Sequence, residues 1–218
     1  SCCARLAPPR PASTRLERPD DGPARVRSTL GRVAALAFPD PPLADAVVAL
    51  RPWRPDDVPG EIMKFADPGV LRFSWARTTP YTEADAREFF AAQDEARLRG
   101  AGLSFALVAP SDPAVVIGGS SLHEIQLDQG RAAVGYWVAS AARRRGVASH
   151  ATRLMARWAF GRLGIARLEL TCAPDNAPSM GVAERCGFTR EGVLRSHVAF
   201  RGGRRDTVVF SLLAGELL

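Results

Sequence analysis

The stretch VGYWVASAARRRGVASHATRLMARWAF (134–160) gathers groups suited to holding an anion. It reads as a strand ending at Ala139, a short basic loop, and a long helix from about Gly146. The first turn of a helix leaves backbone N–H groups without carbonyl partners, and the helix dipole adds partial positive charge there. An anion binds at such an end. Gly146 lets the backbone approach a phosphate closely, Ala148 keeps the approach uncluttered, and Val147 between them is a further candidate binding residue. Arg143, Arg144 and Arg145 add forked donors, and the ligand that fits this set is a diphosphate. In isolation a triple arginine reads as a solvated surface; its place between strand and helix favours the cradle. No lysine or hydroxyl residue stands at the spacing of GxxxxGK[ST], and GxGxxG is absent, so nucleotide hydrolysis and hydride transfer lose their usual support.

Other side chains could take part in chemistry. Asn176 and Ser179 open a short helix as a cap and a first-turn hydroxyl. His123 and Glu124 end the third predicted strand, and His197 sits on the sixth. The four cysteines, Cys2, Cys3, Cys172 and Cys186, form neither CxxC nor a Cys/His pair at zinc spacing. No metal is expected, and Cys172 and Cys186 read as small buried hydrophobes.

These groups need elements to position them. Strands are predicted over 47–53, 103–109, 115–125, 132–139, 166–173, 188–200 and 207–213. Helices are predicted over 58–65, 82–99, 146–163 and 179–186. Thr82 with Asp85 gives a capping signature, and Gly100 a stop. The order β-α-α-β-β-β-α-β-α-β-β implies an α/β (α+β) fold: a mixed, mostly antiparallel sheet of about seven strands flanked by about four helices.

Composition sets the boundaries. The 218 residues are 46% hydrophobic and 24% charged, a globular balance. Residues 1–44 hold seven arginines against four acids, and eight of the 17 prolines fall within 1–42. This segment reads as an irregular Arg/Pro-rich extension to a domain spanning 45–218. The net charge of +6 rests on arginine, since Lys64 is the only lysine, and by itself does not argue for nucleic acid. The opening stretch lacks the apolar centre of a secretory signal, and no run approaches a membrane span. The expectation is a cytoplasmic protein, monomer or homodimer, with neither nucleic-acid nor membrane partners.

The pattern R-x-x-G-x-A between strand and helix resembles the acyl-CoA loop of the GCN5-related N-acetyltransferases (GNAT). Further motifs follow in order: Asn176-Ala177-Pro178-Ser179, Gly187-Phe188, Glu191-Gly192-Val193-Leu194-Arg195, and Asp206 through Ser211-Leu212-Leu213. Upstream, Leu50-Arg51-Pro52, Tyr81-Thr82, Ile117-Gly118 and Gly135-Tyr136-Trp137 fit the same pattern. Together, over 46–213, they resemble the RimJ/RimL-type branch that acetylates ribosomal proteins.

The resemblance implies a GNAT fold and acetyl-CoA as cofactor. It implies direct transfer of acetyl to a primary amine, most simply a peptide or protein N-terminal amine. Val138 and Ala139 would contact the cofactor through their backbone, with pantetheine lying between Val138 and Leu170. Asn176 would contact the pantetheine chain, and Ser179 would protonate the departing thiolate. Glu124 is the candidate base, and Trp75, Tyr81, His123 and His197 would line the acceptor groove. The strand 132–139 lacks the carboxylate that many relatives carry there. Two alternatives remain open: transfer to a small-molecule amine (antibiotic, amino-acid derivative or polyamine), or a non-catalytic acyl-CoA-binding sensor module.

Overall fold

Alternation along Arg167–Cys172, where Leu168, Leu170 and Cys172 are buried and their neighbours are not, is that of a strand with one face in a core. The computed structural model, which describes residues 35–74 and 80–217, gathers such segments into one eight-stranded sheet. The strands are β1 (Leu43–Ala44), β2 (Ala49–Pro52), β3 (Leu103–Ala109), β4 (Asp112–Gln126), β5 (Arg131–Val138), β6 (Arg167–Cys172), β7 (Thr189–Phe200) and β8 (Gly203–Leu213). The helices are α1 (Val58–Ala66), α2 (Pro68–Leu71), α3 (Glu83–Leu98), α4 (Val147–Leu163) and α5 (Ala177–Arg185). The spatial order is β1-β2-β3-β4-β5-β6-β8-β7, and only β5 and β6 run parallel. The expected fold class is the one found. Its extra strand and helix, β1 and α2, are only two and four residues long.

Connection length explains the pairing. Tight turns join β3 to β4 and β7 to β8, whereas β5 reaches β6 through the long helix α4, which returns the chain to the same end of the sheet. Helices α4 and α5 cover one face, where Met155, Ala151 and Val182 share a core with Leu122, Val134 and Leu170. On the other face Ala106, Val116 and Trp137 pack with Trp53, which stacks on Phe90 of α3. The core also takes in residues upstream of position 45. Leu36 is buried and donates its N–H to the Arg97 carbonyl (3.0 Å), and Phe38 meets Phe105 edge-on at 5.5 Å.

Buried and partly buried charges are paired. Arg51 grips Asp57 through two bonds of 2.7 and 2.8 Å, and Asp57 also accepts the Arg54 N–H at 2.7 Å. Lys64 bonds Glu61 at 3.0 Å in the interior. Burial pushes the Glu61 carboxyl up, opposed by Lys64, and its Oε2 lacks a hydrogen-bond partner. Across β6, β7 and β8, Arg167 bonds Glu191 at 2.7 and 2.6 Å, and the Ser211 hydroxyl donates to Glu191 at 2.7 Å. These bonds hold the Glu191 carboxyl at about 2. The glutamate of the EG-x-L-R motif is thus a tie between strands.

His123, expected at an acceptor groove, is buried with its Nδ1 unpaired. It pairs with Ala133 and points to the α1/α3 face of the sheet. Among the described residues no helix is long and apolar enough to cross a membrane.

Two tests follow. Asp57→Ala strands a buried guanidinium and is expected to cost about 3–5 kcal/mol in chemical denaturation. Burial holds the His123 imidazole down at about 4 against an ordinary 6.5. Below pH 6.5 the unfolded chain therefore takes up a proton that the native state refuses. Stability should fall by up to about 1.4 kcal/mol per pH unit from pH 6.5 to 4, with the full contribution present above 6.5. His123→Phe should remove that slope from urea midpoints measured across this range.

Candidate functional site

The site begins with a broken ladder. β5 and β6 are in register at Arg131/Arg167, Ala132/Leu168 and Ala133/Glu169, and then part. Beyond this point β6 pairs only with β8, and β5 only with β4, each along its other edge. The Ala139 N–H donates to the Ile117 carbonyl at 2.9 Å. Because antiparallel pairs alternate, the N–H and C=O groups of Tyr136 and Val138, past the last β5–β6 pair, point away from β4 and into the opening. Ala139, expected to meet the cofactor through its backbone, has its N–H committed to β4, and Tyr136 and Val138 face the gap.

A cavity of about 690 Å³ fills this gap. Tyr136, Val138 and Ser140 line it from β5 and the following turn, Gly146, Val147, Ala148 and Ser149 from the start of α4, and Asn176, Pro178, Ser179, Val182 and Arg185 from α5. Gly69 and Phe73 close it from α2 and the turn beyond. Gly146 is the N-cap of α4 at φ 80, a conformation that favours glycine, and it offers no capping side chain. The N–H of His150 is the first to find a carbonyl, that of Gly146 at 3.0 Å. The preceding amides thus stand at the cavity wall, where a bound anion would complete them. Arg144 also lines the cavity, with φ 62.

Asn176 and Ser179 are both buried at this wall. Asn176 caps α5, its Oδ1 accepting the Ser179 N–H at 3.3 Å, so capping and cavity lining coincide. The Arg143 guanidinium is a strut: Nε donates to the Val138 carbonyl (3.0 Å) and Nη2 to Asp67 (2.5 Å). Asp67 also accepts the Gly69 and Val70 N–H groups at the start of α2. His150, one turn into α4, bonds Asp45 at 2.7 Å. Burial raises the Asp45 carboxyl, but His150 and the Val47 and Val48 N–H groups hold it below its ordinary value.

The structure brings together Val138, Arg143, Arg144, Gly146, Val147, Ala148, Asn176 and Ser179. Arg145 and Ala139 do not line the cavity. Glu124 is exposed on a bulge at φ 51. It lies six residues along β4 from Gly118, the partner of Val138, or about 20 Å at strand rise. Tyr81 stacks on Phe65 with ring centroids 4.0 Å apart and donates its hydroxyl to the Asp85 carbonyl at 3.2 Å. His197 is on exposed β7, its carbonyl accepting from Arg204 at 3.0 Å. Trp75 falls outside the described residues.

Sequence reasoning missed Gly69, Phe73, Ser140, Pro178, Val182 and Arg185. Asp67-Pro68 was the available sign of a second short helix, with its cap and N1 proline. Both remaining described thiols are free and buried, and burial pushes Cys172 up to about 11. Among the described residues no cluster of three or more His, Cys, Asp or Glu could hold a metal.

Residues 48–189 match the family model described as an acetyltransferase (GNAT) domain. Among curated proteins, an uncharacterized N-acetyltransferase, p20 of Bacillus licheniformis, is 28% identical over 170 residues, 78% of this chain and 94% of p20. RimJ of Mycobacterium smegmatis, solved in complex with CoA-disulfide, superposes with a TM-score of 0.72 at 24% identity, covering 78% of this chain and 83% of that one. RimL, a ribosomal L7/L12 alpha-N-protein acetyltransferase in an apo crystal form, gives 0.69 at 20% identity, covering 79% and 92%. With the parted strands, the uncapped helix start and this match to well over half its length, the chain belongs to the GNAT acetyltransferase family and is an acyl-CoA-dependent N-acetyltransferase.

Proposed function

We propose that the protein moves the acetyl group of acetyl-CoA to the N-terminal amine of a peptide or protein, by direct attack while both are bound. The observation that carries this reading is that the uncapped start of α4 and the parted edge of β5 open into one cavity. The diphosphate fits the amides of Val147, Ala148 and Ser149, with Arg144 beside them. The pantetheine amides fit the groups of Tyr136 and Val138 like an added strand. Phe73, Pro178 and Val182 supply an apolar wall for the chain between the amides.

This layout suits aminolysis of a thioester. An α-amine with pKa near 7.7 to 8.0 is roughly a tenth neutral at pH 7, so solvent can accept its proton before attack. The nitrogen adds to the thioester carbonyl, and a β5 backbone N–H steadies the oxygen as it gains charge. Collapse breaks the C–S bond. Ser179 passes its proton to the sulfur and regains one from the attacking nitrogen through water, a task that depends on placement more than acidity. The scheme assigns no proton to Glu124, given its distance along β4. The reducing cytoplasm suits the free, buried Cys172 and Cys186.

Calorimetry should show heat with coenzyme A, and mass spectrometry should find an acetyl group on the N-terminus of peptides incubated with acetyl-CoA. No heat and no acetylated amine, with folded protein, would sink the proposal. Arg144→Glu is expected to raise the Michaelis constant for acetyl-CoA about tenfold with kcat little changed. Ser179→Ala is expected to lower kcat by about tenfold, less than loss of a dedicated general acid.

A further inference from the structure

The cavity wall formed by Phe73 has a charged outer side. Arg72 sits 5.1 Å and Arg205 5.7 Å from the Phe73 ring centre, and Arg205 also covers Phe200 at 4.1 Å. Arg201, at the turn of the β7–β8 hairpin, lies 5.2 Å from the same Phe200 ring and donates to the Leu71 carbonyl at 2.7 Å. Among the described residues one carboxylate meets two of these three guanidiniums: Asp175 bonds Arg72 at 3.0 Å and stands 3.7 Å from Arg205. Among the described residues Arg201 has no acidic partner.

The position of this group gives it meaning. Asp175 immediately precedes Asn176, which lines the cavity. Arg205 lies three residues before Val208, the partner of the last β6 residue, Cys172, and so stands beyond the end where β5 and β6 open. Helices α4 and α5, with the diphosphate cradle, cover one face of the sheet; α2 and the Phe73 turn approach the gap from the connection between α1 and α3, which lie on the other. The arginine group therefore stands at the open end of the gap, on the outer side of the Phe73 wall of the cavity. Rings beneath the guanidiniums fix their planes without neutralising them, which leaves forked donors set for a carboxylate or phosphate.

We infer that this rim selects the acceptor by charge: the amine offered to the thioester carries an anionic group next to it. This deepens the acetyl-transfer reading and rests on it. The same chemistry can come from an N-terminal peptide with acidic second and third residues, or from a small amine bearing its own carboxylate or phosphate.

The test measures kcat/KM for thiol release from acetyl-CoA across matched acceptors. One set comprises peptides differing only in Glu, Gln or Lys at positions two and three; the other comprises small amines with and without an acid group. The acidic member of at least one set should exceed its neutral match by about tenfold at low salt, and the gap should shrink as salt rises. Whichever set shows the gap identifies the source of the anion. The doubly substituted Arg72→Gln, Arg201→Asn protein should bring that ratio close to one while its Michaelis constant for acetyl-CoA stays within twofold. Asn is chosen because it tolerates the φ of 48 at Arg201.

Equal rates for acidic and neutral acceptors would overturn the inference and leave acetyl transfer intact. A raised Michaelis constant for acetyl-CoA in the double variant, with no such rise for acetyl-dephospho-CoA, would also overturn it, because the rim would then serve the 3′-phosphate of the cofactor. Transfer to no acceptor in either set would overturn both readings.

Discussion

The site depends on the separation of two strands that begin as partners. Three residue pairs hold β5 to β6, after which each strand keeps only the neighbour on its other edge, β4 for β5 and β8 for β6. Backbone polar groups left along such an edge are costly unless something pairs with them. The same chain segment then turns into α4, whose first amides also lack carbonyls. Two sets of main-chain groups thus meet at one hole in the sheet, and the surrounding side chains act on that arrangement rather than create it.

Helix α2 shows how distant segments complete it. Asp67 holds the start of α2 and the Arg143 guanidinium together, and Arg143 in turn holds the Val138 carbonyl. The three adjacent arginines therefore divide their roles. Arg143 braces α2 against the loop before α4, Arg144 faces the cavity, and Arg145 lies outside its lining.

How much could be read beforehand follows from how far apart in sequence the contacts are. The strand, loop and helix over 134–160 are contiguous, so their order was legible from local chemistry alone, and residues from all three line the cavity. Asn176 and Ser179 were legible because a helix cap leaves a local signature. Gly69 and Phe73 were not, since the link from Asp67 to Arg143 spans 76 residues and no local period encodes it. The expectations for His123 and Glu124 rest on their place at a strand end. Sequence does not say toward which end of the sheet the gap opens, nor that a bulge after His123 turns Glu124 out to solvent while the imidazole stays buried.

The interior pair on α1 has a further consequence. Lys64 is the chain's one lysine, and it is 7% exposed and bonded to Glu61. A protein that handles an activated acyl donor thereby presents no lysine side chain of its own as a stray nucleophile. Its basicity is otherwise carried by arginine, which stays protonated and does not take up acyl groups, so the charge that faces solvent is kept apart from acyl chemistry.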